Sequence, residues 1–230
     1  CFISGDFKFE NEFQGNLDDF YTLNENLEVR GGRTAGLAIL NNLGKFKNYN
    51  EEMNFPIIDT TKLSAYIRFG TVSIREVYHN ILSQLGPDFG EQLKNQIYWR
   101  EFYYFILLFN PIVVKGPFKP DYSKIIWNDD ELLFRKWTDG LTGFPIVDAS
   151  MRQLNRTGFI HNRLRMIVGH FLVKSLLIDW RYGEKYFAKV LVDYDVGMNS
   201  GGWQWCAGCG ADSLPYFRMF DPKVQSIKYD

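Results

Sequence analysis

Cysteine is scarce, with three residues in a chain of 230, one of them at position 1. That is too few for a disulfide framework and points to a reducing, intracellular setting, cytoplasm or nucleus. Net charge is almost absent: 26 Lys and Arg against 27 Asp and Glu leave −1 at pH 7. No overall field marks a polyanion binder, although a local basic patch is compatible with a neutral total. Long apolar runs are missing as well. The fattest, "FYYFILLF", falls short of the roughly 18–20 residues that span a bilayer, so no membrane partner is expected. Repeats, low-complexity tracts and Pro/Ser linkers are absent, and alternating β patterns are rare. The expected fold class is therefore all-α.

What is abundant is aromatic: 20 Phe, 13 Tyr and 6 Trp, 17% of the chain. So many rings serve either bulk packing or a surface that stacks on flat ligands, and composition does not choose between them. Hydrophobic residues at 46% and charged residues at 23% describe a globular protein with a large core. Residues 1–30 read as a polar, acidic lead-in, and 31–230 as one helical domain. The chain opens on Cys1 and stops at "IKYD", the pattern expected of a fragment.

Leu37, Leu40, Leu43 and Phe46 predict a helix ending near Gly44. Thr60 or Thr61 is placed to cap a second helix that Gly70 stops, and Ser73 to start a third. From Gly90 to Phe109 the pattern is one long helix with Gln96, Trp99, Arg100 and Tyr103 on one face. Further helices are predicted over "DDELLFRKWTDG", from Asp148 to Asn155, and from Ile160 to about Leu177, the last with Asn162, Arg165, Met166 and Gly169 on one face. Between Pro145 and His170, Arg152, Arg156, Arg163 and Arg165 face only Asp148, a local positive surface.

Taken singly, the polar stretches have two readings each. "DTTKLS" is a helix cap or a phosphate seat of backbone N–H groups and hydroxyls. "YWREFYY" is a core helix or a binding face, "HNRLRM" a solvated basic side or a contact surface, and "DYDVGMNSGG" an ordinary loop. Its D-x-D spacing lacks further ligands nearby, so no metal is expected. In the glycine-rich loop "GGWQWCAGCG", Cys206 and Cys209 have redox spacing but neither the βαβ context of a thioredoxin-like site nor the second pair of a zinc site. They read as bystanders.

Together, "WREFYY", "TGFPIVDASMRQLNRTGFIHNRLRMIV", "FLVKSLLIDWRYGEKYF" and "GGWQW...PYFRMFDP" resemble the photolyase/cryptochrome family, most closely class I cyclobutane pyrimidine dimer photolyases. The resemblance runs from about "GGRTAG" to the end. It implies a helical domain that holds FAD beneath a cavity receiving a flipped, damaged dinucleotide. Tyr49 and Thr60, Thr61, Lys62, Leu63 and Ser64 would hold the flavin's phosphates and ribityl chain. Arg100, Asn162, Arg165 paired with Asp193, and Asp195 would flank the isoalloxazine, with Asn199 facing its N5. Trp180, Trp203 and Trp127 match the tryptophans that pass an electron inward to photoexcited FAD. Gly201 and Gly202 would allow close approach to the cofactor.

For damaged DNA, Trp99, Met166 and Trp205 would pack on the dimer, with Tyr103 on the same helix face as Trp99. Asn162 and Arg163 would contact the lesion and its phosphates, and Gln225 the backbone. The implied reaction is light-driven repair by one-electron donation from reduced FAD, with return of the electron. The alternatives are a cryptochrome-like receptor without repair, and an inactive truncated fragment. Gln96 stands where these enzymes usually have a lesion-binding glutamate, Phe159 where a tryptophan is common, Leu93 for an aromatic and Ser175 for an aspartate. The family's N-terminal antenna domain and last helical stretch are not represented, so an antenna would come from a separate chain.

Overall fold

The structure, a computed structural model, describes residues 22–213, 215 and 217–230. Most of the expected lead-in, residues 1–21, lies outside the described residues. Ten α-helices follow in order: α1 Arg33–Leu40, α2 Tyr49–Glu52, α3 Leu63–Arg68, α4 Ile74–Phe109, α5 Glu131–Thr138, α6 Pro145–Thr157, α7 Asn162–His170, α8 Trp180–Val190, α9 Val196–Ala207 and α10 Pro222–Tyr229. Among the described residues the only β feature is an isolated bridge between Asn128 and Ile178. The all-α expectation holds.

The helices bury two clusters. One joins Leu40, Leu43, Tyr66, Val72, Ile81, Leu93 and Ile97 from the first four helices. The other gathers Trp137, Met151, Leu154, Ile160, Ile167, Leu172 and Trp203 from α5 to α9. Phe159 and Val192, from the second half of the chain, pack into the first cluster. The two halves also meet where α4 runs alongside α9.

Local rules explain most boundaries. Ser73 and Glu76 form a reciprocal capping box at the start of α4, satisfying two N–H groups that a helix start otherwise leaves open. Glu76 also bonds Arg33, which with that backbone bond holds its carboxyl down to about 2. Gly70 stops α3 with φ +67°. Asp148 extends from the first turn of α6 to Thr142 and Gly143 N–H, at 2.7 and 3.0 Å.

Four expectations are corrected. The third helix and the one expected from Gly90 are a single element, kinked at Gly86 (φ +69°, ψ −174°). Pro87 begins its second half, where a missing N–H costs nothing. The α6 helix begins at Pro145 rather than Asp148, for the same reason. The helix expected to reach Leu177 stops at His170 and widens into a π-turn over Phe171–Ser175, closed by Leu176 N–H to Phe171 O at 3.0 Å. The stretches read as loops, "DYDVGMNSGG" and "GGWQWCAGCG", contain helix α9. Asp195 caps it, and one of its glycines serves close packing: a Cβ on Gly201 would lie 2.2 Å from the Tyr103 ring.

Candidate functional site

The stretch entering α3, the middle of α7 and the α8–α9 connection meet at Asp193. Its carboxylate accepts a bond from Ser64 Oγ at 2.6 Å and from Arg165 Nη2 at 2.9 and 3.1 Å. The Asp193 side chain is 3% exposed. A charge that deep is tolerated only when paired and hydrogen-bonded. Arg165 is fixed further by Nε donating to Ile160 O at 2.9 Å, and it lies 5.4 Å from the Phe159 ring centroid.

Two residues on, Asp195 forms a second node. Its Oδ1 accepts from Gly197 and Met198 N–H at 3.0 and 3.2 Å, capping α9. Its Oδ2 accepts from the Tyr104 hydroxyl and lies 3.7 Å from Arg68 Nε. The Tyr104 hydroxyl accepts from Arg100 Nη2 at 3.2 Å, and the Arg100 guanidinium lies 4.4 Å over the Tyr104 ring. Burial first, then the bond to Asp195, raises the Tyr104 pKa, which keeps the hydroxyl a donor. Arg100 and Asp195, both expected at a cofactor, are thus linked through a residue that the sequence reading passed over.

The third node is Asn199, buried in the first turn of α9. Its Nδ2 donates to the Glu184 carbonyl at 2.9 Å and to Glu184 Oε1 at 3.0 Å. Both amide protons are therefore used, and no donor among the described residues reaches Oδ1. This network is what assigns the amide orientation. Three residues on along the helix, a Cβ built on Gly202 meets nothing within 4 Å. One side of α9 thus offers an amide oxygen with no donor from the described residues and a stretch free of side chain. A flat ring carrying an N–H fits that donor set and that clearance. Gly202 matches the expected role of admitting a close approach. Gly201 does not, because its space is taken by Tyr103.

The stretch before α3 behaves differently from expectation in two respects: the cap position falls on Lys62, with no side-chain cap bond, rather than on Thr60 or Thr61, and its lysine is already engaged. The Lys62 ammonium is engaged by Glu28 and Asp59, the latter at 2.9 Å, so it is compensated within the protein. Lys62 itself is left-handed at φ 50°. Thr61 Oγ1 accepts weakly from Leu63 N–H at 3.4 Å, Thr60 is half-buried and Leu63 is core. Tyr49 opens α2 and packs on the first cluster, where burial pushes its hydroxyl up to about 12.

Of the three tryptophans, Trp203 is 4% and Trp180 2% exposed, and Trp127 is half-buried against the same cluster. Asn128 N–H bonds Leu177 O at 2.7 Å, which tethers Trp127 beside the segment leading into Trp180. Among the described residues, Trp203's ring partners are Phe187 at 5.0 Å and Trp137 at 5.9 Å, so Trp203 does not stack on Trp180. The two cysteines are free and buried, each thiol pushed up to about 12 chiefly by desolvation. Thiols so rarely ionised are poor nucleophiles.

On the side expected to meet DNA, Asn162 is exposed at the start of α7, with Met166 one turn on. Trp99 is 44% exposed, with its ring 6.3 Å from that of Tyr103. Gln96 makes only a 3.4 Å contact with Gln92 O. Trp205 is half-buried against His170 and Phe220.

Two residues are oriented otherwise than expected. Arg163 is drawn to Asn54 Oδ1 and covered by the Tyr229 ring at 4.5 Å and the Phe220 ring at 5.5 Å. Gln225 has its amide oxygen buried. Both follow from α10 folding back over the start of α7.

The sequence reading missed Tyr104, Arg68 and Glu184. Tyr104 stands four residues after Arg100, a helical spacing that would have found it. Glu184 and Arg68 act across helices, for which no local signal exists. Among the described residues no group of three or more His, Cys, Asp or Glu is placed to hold a metal ion, and no helix is long and apolar enough to cross a membrane.

Comparison with known proteins bears on family and fold. The family described as the FAD binding domain of DNA photolyase matches residues 93–230. The deoxyribodipyrimidine photo-lyase of Escherichia coli is 44% identical over 188 residues, covering 79% of this chain and 40% of that protein. The crystal structure of a class III photolyase from Agrobacterium tumefaciens superposes with a TM-score of 0.83 at 42% identity, over 86% of this chain and 42% of that one. A Synechocystis cryptochrome gives 0.85 at 32% identity, over 96% and 48%. The chain thus spans about two fifths of the length of the curated relatives it matches. From Leu93 onward, where the three carboxylate and amide nodes draw most of their residues, the chain belongs to the family of FAD-binding domains of DNA photolyases.

Proposed function

We propose that this chain binds FAD and uses it for light-driven repair of cyclobutane pyrimidine dimers in DNA. The observation that carries this reading is the Asn199 amide, locked by Glu184 with its oxygen left over on a helix face that Gly202 leaves clear; the buried Arg165–Asp193 ion pair supports it. When bound and reduced, FAD supplies the photoexcited electron that splits the dimer and then takes it back. The protein's residues do the rest. The Asn199 oxygen would accept a hydrogen bond from the flavin N5–H and so favour the proton at that nitrogen. Arg165, paired with Asp193, and Arg100, paired with Glu101 and bonded to Tyr104, would present oriented guanidinium donors to the ring. Backbone groups and hydroxyls at 60–64 seat the phosphates, while Lys62 remains with its carboxylates. Trp203, Trp180 and Trp127 would relay electrons inward to oxidised FAD, with an external reductant such as a thiol restoring the outermost indole.

For the substrate, Asn162, Met166, Trp99 and Trp205 receive the flipped dimer. Gln96, with a neutral amide, donates one bond to it. Arg163 and Gln225 reach DNA only if α10 shifts, so their contribution is secondary to that of Asn162. Light absorbed by bound FAD is enough for this reading, and a separate antenna chain is an optional partner.

A receptor reading without repair is favoured by the likeness to the Synechocystis cryptochrome. The deciding experiment is blue-light repair of a thymine-dimer oligonucleotide by the FAD-loaded, photoreduced protein with a dark control. Thymine absorbance restored only in the light supports repair. Flavin that photoreduces while the dimer stays intact supports the receptor reading, and failure to retain FAD refutes both.

A further inference from the structure

His170 closes α7 in an environment that has no use for a histidine as a base. It is fully buried, and neither ring nitrogen has a hydrogen-bond partner among the described residues. Burial, then Lys174, depresses its pKa to about 3, so the ring is neutral and carries one N–H. Around it stand rings. Trp205 lies 5.4 Å away at an interplanar angle of 84°, and Phe220 lies 4.7 Å away at 41°; Trp205 and Phe220 are themselves 6.0 Å apart. An apolar ring would fill this space without desolvating two nitrogens, so stability alone does not account for the choice of imidazole. What imidazole adds over phenyl is a strongly polarised edge, and a near-perpendicular pair is the arrangement in which a positive edge meets an electron-rich face.

We propose that His170 is a positioning residue for Trp205: its edge-to-face contact fixes the plane of the indole, and Phe220 closes the third side of the triangle. The inference rests on the reading of Trp205 as a dimer-packing ring. It extends that reading by naming what holds the ring. His170 lies one turn beyond Met166 on α7, so substrate contact and indole support share one helix.

The test compares H170F and H170A with the parent protein, all loaded with FAD. The Trp205 contribution to near-ultraviolet circular dichroism is isolated by subtracting the spectrum of a W205F control. H170F keeps a ring but loses the polar edge, and it is expected to melt at or above the parent's temperature while losing at least half of the Trp205 band. Its affinity for a dimer-containing oligonucleotide is expected to fall about tenfold, equivalent to about 1.4 kcal/mol, with flavin content unchanged. H170A is expected to lose both the band and stability. An unchanged Trp205 band in a folded H170F overturns the proposal, whatever the DNA result. If the parent does not prefer damaged over undamaged DNA, the dimer reading of Trp205 fails, and the circular dichroism comparison still decides the positioning.

Discussion

Adding one methyl group at Gly183 tests how tightly Trp203 is held. A Cβ there would lie 2.2, 2.4 and 2.6 Å from three carbons of the Trp203 indole, against roughly 3.5–4.0 Å for a comfortable carbon contact. The ring must therefore retreat by about 1 Å or more. Little room exists behind it: Phe187 and Trp137 flank the indole at 5.0 and 5.9 Å, and a Cβ on Gly169 would already be 3.8 Å from it. Overpacking of this kind costs about 1–3 kcal/mol, and a clash against a rigid enclosed ring belongs at the upper end.

Replacing glycine by alanine inside a helix returns about 1 kcal/mol. The net expectation for G183A is a loss of about 2 kcal/mol, read as a Tm lower by roughly 4–8 °C in a protein of this size. Blue-light bleaching of bound flavin should also slow, since the displaced ring is one of the three proposed to carry electrons to the cofactor. Because the two contributions have opposite signs, the outcome is decisive. A Tm equal to or above the parent's would refute the claim that Trp203 is enclosed.

Two further outcomes follow from the site. His161 and His170 are held down to about 4 and about 3, in both cases mainly by burial. The unfolded chain therefore binds more protons than the folded one below pH 6.5, so stability should be full above that pH and fall as pH drops from 6.5 to 4 by up to about 3 kcal/mol for each histidine; urea midpoints that stay flat from pH 7 to 5 would contradict this. E184A removes one of the two bonds holding Asn199 Nδ2 and leaves the bond to the backbone carbonyl. Flavin content should hold while bleaching slows several-fold, and an unchanged rate would show that the amide needs no fixing.

The sequence by itself determined the helical class, the Ser73 start of α4, the Gly70 stop of α3 and the α5 segment, and it put forward the residue types of the candidate site. Capping boxes, proline at a first helical position and left-handed glycines are local devices that act within a few residues, so they can be read along the chain. The motif blocks likewise carried Arg100, Arg165, Asp193, Asp195 and Asn199 in advance.

Tertiary structure alone decided what those groups do to one another. Asp193 depends on Ser64, 129 positions away, and Arg163 on a ring supplied by α10. The glycine-rich stretch looked like a loop because glycine disfavours a helix. It is helical because Tyr103 packs against Gly201 and Asp195 caps the first turn, contacts that outweigh local propensity. Glu184, Arg68 and the ring triangle around His170 have no local signature, since charge pairing and ring packing depend on distance in space rather than spacing in the chain.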